Sequence, residues 1–130
     1  MSAKPQGHRF RALPGQYAVC RLNAETAVPE WAAGPFVNIT FTPDELAIIC
    51  PAERVPTGIR AERDWRVLKL VGPFPFTAIG VLASLANPLA DAGISLLSIA
   101  TYDTDYFLVK SDVFDPAIAV LIAAGHTRIG

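Results

Sequence analysis

From Trp65 to Gly130 the hydrophobic period alternates between that of a strand and that of a helix, and few folds accommodate the resulting order. The run WRVLKLVG concentrates Val67, Leu68, Leu70 and Val71 and stops at Gly72-Pro73, which predicts a strand. In PFPFTAIGVLASLANPLADAG, apolar Ile79, Leu82, Leu85, Ala86 and Leu89 recur at helical spacing. This predicts a helix from about Thr77 to Ala92, with the Thr77 hydroxyl as N-cap and Gly93 as the stop. Pro88 lies inside that pattern, removes one helical hydrogen bond and predicts a kink or a loosened last turn. Period two returns in ISLLSIA and YFLVK. FDPAIAVLIAAG predicts a second helix, capped at Asp115 or nearby, entered through Pro116 and stopped by Gly125, and HTRIG predicts a short closing strand.

The order β-α-β-β-α-β is that of a ferredoxin-like unit, with two helices on one face of a sheet. The first half repeats it imperfectly. QYAVCRL reads as a strand, VPEWAAG offers at most one or two helical turns, and FVNITFTPDELAIIC reads as a hairpin about TPDE with Val37, Ile39 and Phe41 on one face. Two prolines and a glycine in PAERVPTGIRAE argue against a full second helix. The predicted class is α+β: two ferredoxin-like βαββαβ units, residues 1–62 degenerate and 63–130 complete, sharing a core and packed as one compact protein.

Several functions are excluded by what surrounds this pattern. Lys and Arg total 11 against 12 Asp and Glu, evenly divided between the halves, so no basic footprint for nucleic acid exists. Apolar residues make up 52% of the chain, more than its own core needs, which predicts a homodimer. The longest apolar segment is broken by Asn87, Pro88 and Asp91, so no membrane span is expected. The N-terminal run MSAKPQGHRFRALPGQ lacks the apolar centre of a secretion signal, and Cys20 and Cys50 sit in apolar runs without metal or redox spacing. Both are read as buried reduced thiols of a soluble cytoplasmic protein.

No catalytic residues, metal ligands or cofactor motif stand out. His8 and His126 have no metal-spaced partner, Ser84, Ser95, Ser98 and Ser111 have no adjacent His-Asp pattern, and GPFPF places prolines where a phosphate loop needs N–H groups. What does stand out is ATYDTD, residues 100–105, set between two apolar strands. Asp and Thr are ordinary turn residues that hydrogen-bond their own backbone, so a capped hairpin turn is one reading. A polar wall facing a ligand is the other.

The passage VLKLVGPFPFTAIGVLASLANPLADAGISLLSIATYDTDYFLV resembles the ACT domain, the small-molecule sensing module of aspartate kinase and other amino-acid enzymes. It is similar to the tandem-ACT family of aspartate kinase regulatory regions and cytosolic arginine sensors. The resemblance implies a non-catalytic regulatory protein that binds a free amino acid, with Thr101, Tyr102 and Asp105 matching the sensors' ligand-facing passage. A zwitterion needs N–H donors beside acceptors, so the N–H groups of Thr77, Ala78 and Ile79 at the helix opening are assigned to its carboxylate, with Phe76 beside them in the site. Asp103 or Asp105, with Thr101, is assigned to its ammonium. The sensors carry an acidic residue in the helix-opening loop, where this chain has Phe74, Phe76 and Ala78, so the resemblance implies an apolar or small neutral amino acid before a basic one. The alternative is an interaction module with a vestigial pocket that docks on a partner enzyme.

Overall fold

The computed structural model describes residues 7–130, in which strands β1 (Arg9–Ala12), β2 (Tyr17–Leu22), β3 (Asn38–Phe41), β4 (Leu46–Pro51) and β5 (Arg60–Leu70) precede helix α1 (Val81–Asp91). Then come β6 (Leu97–Ala100), β7 (Asp105–Lys110), helix α2 (Phe114–Ala123) and β8 (Thr127–Arg128). The chain forms two units: an inserted one, Gly15–Trp65, and a split one made of Arg66–Gly130 together with the described residues up to Pro14. β5 begins in the first and ends in the second.

The inserted unit is an antiparallel sheet in the order β3-β4-β2-β5, without an α-helix among its residues. Its hairpin turn is built by Thr42, whose hydroxyl oxygen accepts the N–H groups of Asp44 (3.2 Å) and Glu45 (3.0 Å). This is the side-chain mimicry that favours Thr in turns. VPEWAAG forms only turns, and PAER closes a single 3₁₀ turn at Ala52–Arg54. Val37 and Ile39 pack against the unit's core of Ala18, Cys20, Leu46, Ile48, Cys50 and Val55, whereas Phe41 is 69% exposed. Opposite pairs Ala18↔Cys50 and Cys20↔Ile48 put the two cysteines diagonally on one face, both free and buried. Burial, and then the neighbouring Cys20, push the Cys50 thiol up to about 11. Between Tyr17↔Trp65 and Val19↔Glu62 the register slips by one residue of β5, a bulge absorbed by Asp64 at φ 69°.

The split unit contains the predicted β-α-β-β-α-β order, from β5 to β8. Its sheet runs β6-β7-β5-β1-β8. β1, which the sequence reading did not foresee, separates the closing strand from β5, antiparallel to β5 and parallel to β8. Residues before Pro14 therefore contribute to the unit that the sequence boundary at 62/63 would give to the later residues alone. Both helices cover one sheet face, and Leu85, Leu89, Ala117 and Leu121 meet Leu68, Leu70, Phe107 and Val109 there, with Phe10 of β1 fully buried among them.

The helix stops fall where the glycines predict. Gly93 (φ 75°) and Gly125 (φ 100°) adopt the left-handed conformation, and the next amides, Ile94 and His126, donate back to Leu89 and Leu121. The helix starts differ. α1 begins at Val81 with Gly80 as N-cap, so Thr77 caps nothing: Pro73 and Pro75 hold the preceding segment out of the helix, and the Ala78 N–H donates to the Pro75 carbonyl. α2 has Val113 at its N-cap, with Asp115 inside the first turn, where the dipole favours a carboxylate. Pro88 leaves α1 continuous to Asp91. The Ser84 carbonyl, which a residue-88 amide would have met, instead accepts the ring N–H of His126 at 2.8 Å.

Candidate functional site

The segment between β5 and α1 and the turn between β6 and β7 come together in the split unit around a cavity of about 470 Å³, lined by residues from both. That volume is in the lower part of the roughly 300–1,000 Å³ range of small-ligand sites. The turn is stiff. The Thr101 N–H and hydroxyl both donate to the Thr104 carbonyl (2.8 and 2.9 Å), and the Thr104 N–H donates back to the Thr101 hydroxyl oxygen at 3.3 Å. Buried Thr104 donates its own hydroxyl to the Leu70 carbonyl at 2.9 Å, bolting the turn to β5. The Phe74 N–H donates to the Asp103 carbonyl at 2.8 Å, which joins the two segments. Gly72 permits this approach, since a Cβ there would stand 2.9 Å from the Asp103 oxygen.

Of the residues singled out in the sequence, Phe76, Ala78, Thr101, Tyr102, Asp103 and Asp105 line this cavity. Thr77 and Ile79 do not, and Ile79 is 96% exposed. The donors expected at Thr77 to Ile79 lie four residues later: the amides of Val81, Leu82 and Ala83, in the first turn of α1, precede the helix's own carbonyl supply and border the cavity. Gly80, which set that start, was the missed signal. Asp105 is half-buried at the start of β7 and Asp103 is exposed on the turn, and both residues line the cavity together with the first turn of α1. Phe76 and Tyr102 pair edge to face, 5.0 Å between centroids, at 75% and 80% exposure, forming an aromatic rim.

Thr101, Asp103 and Thr104 also line a second cavity of about 310 Å³, whose other walls include Arg11, Lys69 and Tyr106. The turn is thus a partition between two hollows. His8 and His126, apart in sequence, stack at 5.8 Å, and the His8 N–H donates to Nδ1 of His126 at 3.0 Å. Burial, followed by the nearby His126, lowers the His8 pKa below 6.5. Among the described residues no group of three or more His, Cys, Asp or Glu side chains is arranged to hold a metal ion, and no helix is long and apolar enough to cross a membrane.

Comparison with known proteins shows which folds and sequences the chain is similar to. The sequence profile of the ACT domain matches residues 60–123, and a second profile, described only as an N-terminal domain, matches residues 15–58. A crystal structure of an Agobacterium tumefaciens protein is 36% identical, with a TM-score of 0.91, and the match covers 96% of this chain and 94% of that one. The human cytosolic arginine sensor for mTORC1 subunit 1 is 40% identical over 106 residues, 75% of this chain and 32% of that protein. The chain thus spans about a third of the length of the curated relatives it matches. The regulatory subunit of aspartate kinase from Thermus thermophilus shares the fold, with a TM-score of 0.58 at 14% identity over 94% of this chain and 95% of that one. Residues 60–123 of the chain belong to the ACT-domain family.

Proposed function

We propose that this protein is a non-catalytic regulator that binds a free amino acid in the larger cavity. One observation carries the reading: the unpaired first-turn amides of α1 and the carboxylates of Asp103 and Asp105 border the same hollow, the arrangement that a carboxylate beside an ammonium requires. The names of relatives agree, one an arginine sensor and another a kinase regulatory subunit. The wall that would meet the side chain is Phe74, Phe76 and Ala78, which suits an apolar or small neutral amino acid. We assign the binding role to Phe76, Ala78, Thr101, Tyr102, Asp103 and Asp105, and add the backbone of Val81 to Ala83. The same reading makes the protein cytoplasmic and homodimeric.

Calorimetry with the twenty amino acids tests it, and Asp105→Asn sharpens the test. Loss of a charged partner from a half-buried contact costs on the order of 1.5–3 kcal/mol, roughly ten- to a hundredfold in affinity, with little change in melting temperature. Thr101→Val should weaken binding less than Asp105→Asn, since only a neutral hydrogen bond is lost, and should also lower the melting temperature, because its hydroxyl is engaged with Thr104. No heat with any amino acid defeats this reading. The exposed rim of Phe76, Ile79 and Tyr102 would then favour the second one, a module that docks on a partner enzyme through that rim.

A further inference from the structure

We propose that the smaller cavity, on the far side of the Thr101–Thr104 turn, is a second ligand site that takes a compact oxyanion, the carboxylate or phosphate group of a small metabolite. Arg11 of β1 stands directly opposite Lys69 of the antiparallel β5, so both cations leave the same sheet face. Like charges in that relation destabilise a sheet. No ion pair offsets them: among the described residues none reaches either cation, and Asp103, which lines the same cavity, pairs with neither. The ammonium of Lys69 is not simply spread into solvent, since Nζ lies 5.8 Å from the centroid of the ring of Tyr106, which lines the same cavity.

These residues enclose about 310 Å³, enough for a small polyatomic anion and too little for a large ligand. An oxyanion between the two side chains would turn a repulsive pair into two charge-assisted contacts, the Arg11 fork binding two oxygens and Lys69 a third. A neutral or cationic occupant would leave the repulsion in place. Arg11 and Lys69 do not border the larger cavity, so the inference stands whether or not an amino acid binds there.

The test follows the unfolding of the full chain as inorganic phosphate, or in parallel succinate, replaces chloride at constant ionic strength. The expected result is a saturable rise in melting temperature with a midpoint on the order of millimolar, weakened about tenfold by Lys69→Gln or Arg11→Gln. Without anion both variants should melt at or above the parent temperature, because the like-charge contact is gone. Arg54→Gln, in the inserted unit, should respond as the parent does. Amide shifts of Gly72 and Tyr106 during the phosphate titration locate the site independently of stability. A response to phosphate alone names a phosphoryl group as the ligand chemistry, and one to succinate alone names a carboxylate. A rise that never saturates, or one that persists unchanged in both variants, overturns the proposal.

Discussion

His126 shows how a single side chain repairs a defect that the sequence announces elsewhere. Pro88 has no N–H, so the Ser84 carbonyl of α1 would lack its helical donor, and His126 supplies one through Nε2 while Nδ1 accepts the His8 N–H. His126→Leu should therefore cost about 1–3 kcal/mol, measured by chemical denaturation, since two partly buried groups lose their partner. In a Pro88→Ala background the same substitution should cost less, because the restored amide can serve the Ser84 carbonyl; equal costs in the two backgrounds would show that the ring acts by packing alone. Acidity bears on the neighbouring residue. The folded state holds His8 below its unfolded value of 6.5, so the unfolded chain binds the proton more readily. Stability is then fully present above pH 6.5 and is lost as pH falls through the lowered folded value. His8→Gln should flatten the difference in stability between pH 7.5 and 5 relative to the parent. Pro88 was visible in the sequence as a lost bond, but its rescue from thirty-eight residues downstream was not, because no local pattern marks which distant ring will reach a carbonyl.

At the scale of elements, legibility followed hydrophobic period and glycine. Both helices, the 38–51 hairpin and the strands of the split unit announce themselves in these terms, as do the stops at Gly93 and Gly125. β1 does not. RFRA is four residues long, and it is a strand only because Phe10 pairs with Leu70 on one side and Arg128 on the other, contacts far away in sequence. The start of α1 was misplaced for a related reason, since Thr77 is a good cap by type but the flanking prolines set the backbone first. An expected outcome follows for fragments. Residues 62–130 alone lack β1 and the buried Phe10, and should be poorly soluble or molten. The Leu13 N–H donates to the Val67 carbonyl at 2.9 Å, so Pro14 and Arg66 lie at the open end of a natural hairpin. Deleting 15–65 and joining these residues through Asn-Gly should restore a dispersed amide spectrum. If both fragments give the same collapsed spectrum, the split unit depends on the inserted one to fold.

For the whole molecule, the candidate site was the more readable part on its polar side and the less readable on its donor side. ATYDTD stood out because carboxylates and hydroxyls are costly between apolar strands, whereas backbone amides carry no letter in a sequence. Composition bears on assembly. With 52% apolar residues and Phe41, Phe76, Ile79 and Ile122 exposed, the chain presents more apolar surface than its own core consumes, and light scattering should give about twice the 13.9 kDa chain mass. A single-chain mass at micromolar concentration would leave that surface for a different partner. The Thr101–Thr104 turn has a further consequence, since its Asp103 borders both hollows. A carboxylate drawn toward an ammonium on one side withdraws its negative charge from the other, where Arg11 and Lys69 would then hold an anion more firmly. Linkage requires the anion to tighten the amino acid by the same factor. With both proposed ligands bound, the protein would act as a coincidence detector, answering most strongly when two metabolites are abundant together, and titrating either in the presence of the other measures that factor directly.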